Sequence, residues 1–315
     1  MEPDAAKLRV LEGHADRVHA LSMSADGRYV LSGAWDNTLK LWDVETGENI
    51  NTFKGHTDKV HTVSLSRDGY HALSGAGDGK ILFWDIETGA SRAFEGELGW
   101  AWSVNMSQNE KLAICGSWNR QLSLWDVASG QRLKSFEDHK DDIWSVCFLP
   151  DSLRALSGSD DQKIILWNTE TGEAIHTFNG HTDRVRSLAV TADGKRLVSG
   201  SWDKHVRLWD VETSEPLRIY TGATDCVEAV AISADGRFVL GGSRNKNVML
   251  WDAATGDALH TFKGHTDRVY AVVMRADGKR ALSASDDKTI IVWDLEPFLT
   301  PPPSEAPAEN VPPTQ

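Results

Sequence analysis

The sequence predicts an all-β protein made of seven copies of one structural unit. Seven of its thirteen tryptophans recur at spacings of 42, 41, 42, 42, 42 and 42 residues, at Trp42, Trp84, Trp125, Trp167, Trp209, Trp251 and Trp293. Six of the seven are followed by Asp, and Trp167 is followed by Asn168. A unit of about this length that closes in Trp-Asp is typical of one blade of a β-propeller. We therefore expect seven four-stranded antiparallel blades arranged in a ring.

Each unit consists of short alternating runs separated by turn signals. In the fifth unit, the runs 186–190, 196–199 and 206–209 alternate apolar and polar side chains, as strands with one buried face do. Turn-forming residues at 192–194, 203–204 and 212–213 separate these runs. No stretch has helical periodicity, so the unit is predicted to be a small antiparallel sheet.

The repeat defines the domain organisation. Because each unit can bury its apolar faces only against its neighbours, we expect one closed domain over residues 1–296. The seven units are predicted at about 8–48, 49–90, 91–131, 132–173, 174–215, 216–257 and 258–296. Residues 297–315 hold seven of the ten prolines, which predicts an extended, disordered tail.

Composition restricts the class of partner. The net charge of −13 opposes non-specific binding to nucleic acid or to an anionic membrane surface. No apolar run is long enough to span a bilayer, and the first residues lack the basic and apolar order of a secretory signal, so we expect a cytoplasmic location. The three cysteines have neither disulfide nor metal spacing and are expected to be reduced thiols.

The opening and closing motifs of the units resemble those of the WD-repeat family. His opens five units, preceded by Gly at His14, His56, His181 and His265 and by Asp at His139, and the Trp-Asp motif closes six. This resemblance covers residues 8 to about 295. In that family the repeat is offset from the blade. The resemblance therefore implies that the first strand, 8–11, completes the last blade and closes the ring, which removes free sheet edges.

Five units also carry Ser and Asp at fixed distances from this His and Trp. The sets are His14, Ser32, Asp36 and Trp42; His56, Ser74, Asp78 and Trp84; His139, Ser157, Asp161 and Trp167; His181, Ser199, Asp203 and Trp209; and His265, Ser283, Asp287 and Trp293. A single Ser-His-Asp set would suggest nucleophilic catalysis, but five copies argue for a structural role. The resemblance implies a buried hydrogen-bonded network, and we expect no catalytic residue, metal or cofactor.

Two units depart from this pattern. The third has Glu97, Cys115 and Asn119 in place of His, Ser and Asp, and the sixth has Ala223, Gly241 and Asn245. Both blades are predicted to lose most of the network. One explanation is neutral drift in a redundant array. The other is that local stability was exchanged for a binding site, because the third unit is also the one with three additional tryptophans.

The six remaining tryptophans fall at three registers of the repeat. In the WD-repeat family, partners dock on the face formed by the loop before the inner strand and the turn before the third strand. The matching positions here lie three and five residues after the His and one before the Asp. The predicted partner-binding residues among them are Arg17, Trp35, Lys59, Trp100, Trp102, Trp118, Trp144, Arg184, Arg186, Trp202, Arg244, Arg268 and Tyr270.

The predicted function is a non-catalytic, monomeric scaffold that binds a protein or peptide on this Trp/Arg face, because Trp, Tyr and Arg dominate interface hot spots. One alternative is an aromatic cage for a small or modified ligand, with Asp142 and Asp160 favouring a cation. A second is that the indoles only pack on one another and cap the central channel. An enzyme is the third, but the sequence contains no convergent acid, base or nucleophile outside the repeated set.

Overall fold

Seven four-stranded antiparallel sheets form the structure, a computed structural model that describes residues 4–96 and 99–299. The first strand of each sheet packs against the first strand of both neighbouring sheets, so these inner strands surround a central channel. This arrangement confirms the predicted seven-bladed β-propeller.

The strands follow one another in chain order within each blade. The first four blades contain β2 (Val18–Met23), β3 (Tyr29–Ala34), β4 (Thr38–Asp43) and β5 (Asn49–Lys54); β6 (Val60–Leu65), β7 (His71–Ala76), β8 (Ile81–Asp85) and β9 (Ser91–Ala93); β10 (Ala101–Met106), β11 (Leu112–Ser117), β12 (Leu122–Asp126) and β13 (Arg132–Phe136); and β14 (Ile143–Phe148), β15 (Arg154–Ser159), β16 (Ile164–Asn168) and β17 (Ala174–Phe178).

The remaining three blades repeat this order. They contain β18 (Val185–Val190), β19 (Arg196–Ser201), β20 (Val206–Asp210) and β21 (Pro216–Tyr220); β22 (Val227–Ile232), β23 (Phe238–Ser243), β24 (Asn247–Asp252) and β25 (Ala258–Lys263); and β26 (Val269–Met274), β27 (Arg280–Ser285) and β28 (Ile290–Asp294), with β1 (Lys7–Leu11) as the fourth strand.

The N-terminal strand closes the ring. β1 pairs antiparallel with β28, with Val10 opposite Ile291 and Leu11 opposite Ile290. The predicted pairing of the first strand with the last blade is therefore confirmed. Because this strand is contributed from the other end of the chain, separating the last blade from the first requires breaking its hydrogen bonds.

The apolar core lies between neighbouring blades. In one cluster, Leu31 and Phe53 of the first blade pack with Val60 and Trp84 of the second. Glycine in the second strand allows this close approach: a Cβ added at Gly33 would lie 2.7 Å from Val60 Cγ1. Each blade is therefore stabilised by apolar surface that its neighbour covers.

A β-bulge interrupts the inner strand of every blade near its first residue. In the first blade, Val18 lies opposite Ala34 and Ala20 lies opposite Gly33, so the residue between them has no opposite partner. The same shift occurs in all seven blades, and the seven extra residues are His19, His61, Trp102, Trp144, Arg186, Glu228 and Tyr270. Bulges re-aim the side chain of the extra residue, and here they do so at the same end of every inner strand.

The C-terminal boundary differs slightly from the predicted one. Residues 297–299, assigned from sequence to the tail, lie on the propeller because a 3₁₀ helix, Glu296–Phe298, carries Phe298 onto the ring of His260 at a centroid distance of 4.2 Å. The rest of the predicted tail, 300–315, falls outside the described residues. Within the described residues, no helix is long and apolar enough to cross a bilayer.

The closing strand provides a test of this fold. Leu11 is 2% exposed and packs in a cluster with Trp42, Ile290 and Val292, whereas Leu8 on the same strand is 48% exposed. We expect Leu11→Ala to lower the free energy of unfolding by about 2–5 kcal/mol, because it leaves a cavity beside β28. Leu8→Ala is the matched control and should change it by about 0.5 kcal/mol or less. Urea unfolding of the two variants measures the difference, and equal effects would contradict closure by β1.

Candidate functional site

The five complete Trp-Ser-His-Asp sets each form a buried hydrogen-bonded chain. In every set the indole Nε1 donates to the Ser Oγ at 2.7–2.8 Å, and the Ser Oγ lies 2.7 Å from the His Nε2. The His Nδ1 lies 2.7–3.0 Å from an Asp carboxylate oxygen. One assignment satisfies every donor: Nδ1–H donates to Asp, and Nε2 accepts from Ser. The chain links the third strand of a blade to the loop before its inner strand.

The Asp at the end of each chain is held in its charged form. Burial alone would raise the pKa of Asp78, but hydrogen bonds from His56 and from the Thr57 backbone N–H outweigh burial and hold that pKa at about 2. The same balance lowers the pKa of the other four carboxyls, Asp36, Asp161, Asp203 and Asp287. These side chains therefore have an evident role in holding the fold together.

The third and sixth blades lack this hydrogen-bonded chain, and only the sixth provides another acceptor for its indole. In the sixth, Gly241 leaves the hydroxyl position empty and Trp251 Nε1 donates to the Thr221 carbonyl at 3.0 Å. In the third, no acceptor among the described residues lies within reach of Trp125 Nε1, and Cys115 occupies the Ser position with a pKa raised by burial to about 12. Glu97, which the sequence places at the His position, lies outside the described residues.

The seven bulge residues meet at one mouth of the central channel, and we call them the channel-mouth ring. They line a channel cavity of about 420 Å³. His61 packs on Trp102 at a centroid distance of 4.3 Å, Trp102 on Trp144 at 4.0 Å, and the Arg186 guanidinium lies 3.5 Å from the Trp144 ring centre. On the other side of the mouth, His19 contacts His61 at 5.5 Å and stacks on Tyr270 at 4.7 Å. Side chains from all seven blades thus form a nearly continuous ring.

Glu228 is the charged centre of this ring. Its side chain is fully buried and accepts from Arg186 Nε at 3.0 Å, from Trp202 Nε1 at 3.2 Å and from Arg244 Nε. Burial alone would raise the pKa of Glu228, but the two guanidinium groups lower it below its usual range. The carboxylate is therefore charged and fixes both arginines in place.

The two imidazoles of the ring are neutral. Desolvation lowers the pKa of His19 to about 4, even though its Nδ1 lies 3.0 Å from the His61 carbonyl, and Arg186 contributes to the shift. Desolvation, with the positive charges of Lys59 and Arg186, lowers the pKa of His61 to about 2. Burial, assisted by the cations around the channel mouth, therefore keeps both rings neutral at neutral pH.

The other two registers of the predicted face lie just outside the ring, and each blade contributes one pair of residues. We call these fourteen residues the outer rim: Arg17 and Trp35, Lys59 and Gly77, Trp100 and Trp118, Asp142 and Asp160, Arg184 and Trp202, Cys226 and Arg244, and Arg268 and Asp286. In each blade, the residue before the Asp position donates its backbone N–H to the carbonyl of the residue before the inner strand, at 2.9–3.0 Å. This bond places their side chains together, as for Arg17 over Trp35 at 4.7 Å and Arg184 over Trp202 at 4.6 Å. Lys59 is a second cation over Trp35, at 4.3 Å, and Arg244 and Arg186 are further cations over Trp202, at 4.0 and 5.4 Å.

The third blade has the most exposed tryptophans of the face. Trp100 is 45% exposed and Trp118 is 51% exposed, and their rings meet at 5.0 Å with an interplanar angle of 63°. Both also contact Trp102 of the ring, at 5.7 and 6.2 Å. Trp100 and Trp118 therefore project from the face as an apolar surface, and Trp102 packs beneath them.

The fourth blade contributes carboxylates beside this projection. Carboxylate oxygens of Asp141, Asp142 and Asp160 lie within 4.8 Å of one another. Burial and the two neighbouring carboxylates raise the pKa of Asp142 to about 6. Arg184 Nη1 lies 3.3 Å from Asp160, so an internal cation already compensates part of this charge.

The structure brings the predicted binding residues onto one face but in two layers. Trp102, Trp144 and Arg186 are packed in the ring, and Tyr270 stacks there on His19. Arg268 lies beside Tyr270, whose side chain raises the pKa of the guanidinium. The predicted set omits His19, His61 and Glu228, although they occupy the same register as Trp102. That shared register is the sequence signal that could have included them.

Comparison with known families agrees with this architecture. The family model described as "WD domain, G-beta repeat" matches seven times, at residues 5–43, 47–85, 90–126, 130–168, 172–210, 214–252 and 256–294. These matches cover most of the chain, and the chain therefore belongs to the WD-repeat family.

Individual relatives match over much shorter stretches. The small ribosomal subunit protein RACK1 of Candida albicans is 52% identical over 42 residues, and its counterpart in Saccharomyces cerevisiae is 51% identical over 41 residues. Each match covers 13% of this chain and 13% of the relative. This is about the length of one repeat, so the similarity lies in the repeat unit.

The buried network predicts a specific response to acid. The pKa of Asp78 lies near 2 in the folded chain and about 3.9 in an unfolded one. Its ionised form therefore stabilises the fold above about pH 4, and this contribution is lost as the pH falls towards 2. Asp78→Asn should cost about 1–2 kcal/mol at pH 6 after allowance for solvent screening, and much less at pH 2.5.

Urea unfolding at pH 6, 4, 3 and 2.5 measures this difference. Asp257→Asn, which changes an exposed carboxylate between β24 and β25, is the control and should shift stability little at any of these values. A cost of Asp78→Asn that does not shrink on acidification would contradict the charged role of Asp78.

Proposed function

We propose that the chain is a non-catalytic scaffold that binds a protein or peptide on the face formed by the channel-mouth ring and the outer rim. The observation that carries this proposal is the exposed pair Trp100 and Trp118. Two adjacent indoles that are about half exposed leave a large apolar area in water, and burying it against a partner is favourable.

The surroundings of the pair suit a docking site. The Trp100 carbonyl accepts the Trp118 backbone N–H at 3.0 Å, and Trp102 packs beneath both rings, so little side-chain freedom remains to be lost on binding. Charged groups, including Arg184 and Asp142, lie farther around the outer rim. An apolar centre with a charged periphery is the usual composition of a protein interface.

The aromatic-cage alternative is less well supported. A cage needs free indole faces around one cation, but Trp35, Trp144 and Trp202 already carry this chain's own cations at 3.5–4.7 Å. Trp102 and Trp144 pack on each other at 4.0 Å. The remaining indoles, Trp100 and Trp118, form an edge-to-face projection with no enclosed space between them.

Charge and cysteine content restrict the class of partner and the compartment. The net charge of −13 disfavours nucleic acid and anionic membranes. All three cysteines are free thiols, as is common in a reducing compartment, and this supports a cytoplasmic location. We also propose that the chain acts as a monomer. Because the RACK1 match spans one repeat, a ribosomal partner is not part of the proposal.

Peptide display tests the docking face directly. Random peptides displayed on phage would be selected on the wild-type chain, and their affinities measured on a Trp100→Ala/Trp118→Ala variant. Loss of two hot-spot tryptophans should weaken binding by about 30-fold or more. The melting temperature should change little because both side chains are exposed.

Tyr70→Ala is the matched control, since Tyr70 is a 62% exposed aromatic in the turn between β6 and β7, at the opposite end of the blades. It should leave the affinity unchanged. Any of three results would count against this function. The selected peptides could bind the wild type and the double variant equally, they could lose as much affinity for the control as for the double variant, or the library could yield no binder.

A further inference from the structure

The channel mouth contains hydrogen-bond donors that the chain itself does not use. Arg186 has a side chain only 7% exposed, yet no acceptor within the described residues lies within reach of its Nη1. The same holds for Trp102 Nε1, and His61 Nδ1, a donor or an acceptor according to the tautomer, also has no partner among the described residues. All three residues line the channel. Buried donors without acceptors are rare in folded proteins and are costly, so each calls for an acceptor supplied from outside.

Glu228 cannot supply that acceptor. Its Oε2 already accepts from Arg186 Nε at 3.0 Å, and its Oε1 accepts from Trp202 Nε1 and from Arg244 Nε. Both oxygens are therefore engaged on the side of Arg186 that faces the sixth blade. The Nη1 end of the same guanidinium remains without a partner.

The charges around Glu228 also do not balance. Two guanidinium groups, Arg186 and Arg244, share one carboxylate, which leaves one positive charge in excess. The nearby rim charges are committed elsewhere, Arg17 to Asp286 at 3.6 Å and Arg184 to Asp160 at 3.3 Å. His19 and His61 add no charge, since desolvation and the surrounding cations lower the pKa of both.

One carboxylate fits these conditions better than other acceptors. It would bring a single negative charge to a single excess positive charge, whereas a phosphate would bring nearly two. It would also accept from Arg186 Nη1 with the strength of a charge-assisted hydrogen bond. The indoles of Trp102 and Trp144, which both line the channel, would offer apolar contact to the methylene groups of the side chain that carries it.

Resting on the proposed function, we propose that the channel mouth binds one Asp or Glu side chain of the docked partner, whose carboxylate accepts from Arg186 Nη1 and Trp102 Nε1. The exposed pair Trp100 and Trp118 then supplies apolar contact, and the channel mouth selects for an acidic residue next to it. Because the chain carries a net charge of −13, recognition acts at contact distance, and measurements belong at about 0.15 M salt, where longer-range repulsion is screened.

A pair of small probes tests the site without any partner. N-acetylglutamic acid amide carries the carboxylate, and N-acetylglutamine amide is its uncharged isostere. We expect only the acid to shift the indole N–H signal of Trp102 in a saturable NMR titration, with the signal assigned by Trp102→Phe. Arg186→Gln should weaken this response about tenfold or more, as expected for a lost charge-assisted hydrogen bond. Arg244→Gln removes an equal charge from Glu228 but leaves Arg186 Nη1 in place, so it should weaken the response clearly less than Arg186→Gln does.

Equal shifts with both probes, or an equal response in wild type and Arg186→Gln, would overturn the site and indicate that channel water satisfies these donors. Melting temperatures of both variants verify that they fold. If Arg186→Gln is unfolded, Arg186→Lys, which retains the charge without the planar fork, replaces it. That variant should respond more weakly than wild type, and an unchanged response would again overturn the site.

Parallel selections decide whether the carboxylate belongs to a partner. Peptides selected on wild type should be enriched in Asp or Glu at one position, and peptides selected on Arg186→Gln should not. Two results would mean that the site takes only free carboxylates and would overturn the proposal that a partner supplies one. Either the two sets of peptides would have equal acidic content, or no peptide would be selected although the acid probe binds. The probes do not depend on Trp100 and Trp118, so failure of the docking face and failure of this site are distinguishable.

Discussion

The β-bulge at the start of each inner strand is the constraint on which the functional face depends. It leaves one residue per blade without an opposite partner, and it does so at the same position in all seven blades. Because the ring of blades is closed, these seven side chains converge on one channel mouth. Residues separated by about 42 positions in sequence, such as Trp102 and Trp144, therefore come within 4.0 Å of each other.

Stability and recognition use different registers of the same repeat. The Trp-Ser-His-Asp chains are buried within blades and link strands to loops, whereas the ring and the outer rim lie at the channel mouth. The bulge position can therefore vary while the buried chains stay intact, and across the seven blades it holds five different residue types. The third blade has less of the stabilising network. It lacks the Ser and Asp, and the indole of Trp125 has no acceptor among the described residues. The same blade carries both of the most exposed tryptophans.

Much of the fold could be predicted from sequence because it depends on local periodicity. The spacing of the closing tryptophans determines the number of blades, and the offset between repeat and blade implies the pairing of β1 with β28. The boundary at residue 297 was harder to predict from sequence, because Phe298 packs on His260, which lies far away in the sequence. Such contacts leave no periodic signal.

The candidate face could be located from sequence, but its two layers could not. Trp100 and Trp102 are two residues apart and have the same chemistry, yet Trp102 packs against Trp144 of the next blade while Trp100 projects into solvent. That difference follows from the bulge, which directs Trp102 over the channel. The roles of Glu228 and Arg186 likewise depend on neighbours from three blades. Sequence registers identify such residues as neighbours but do not reveal which donors remain unsatisfied.

The thirteen tryptophans offer the most direct test of this account, since each indole N–H gives its own NMR signal. Their spectrum would be recorded with and without a bound partner peptide. The account predicts that Trp100 and Trp118 change most and that ring indoles such as Trp102 change next. The five indoles that donate to Ser should stay unchanged. Unchanged signals from Trp100 and Trp118, with the bound peptide perturbing indoles inside the blades, would contradict the claim that this face is where the chain binds its partner.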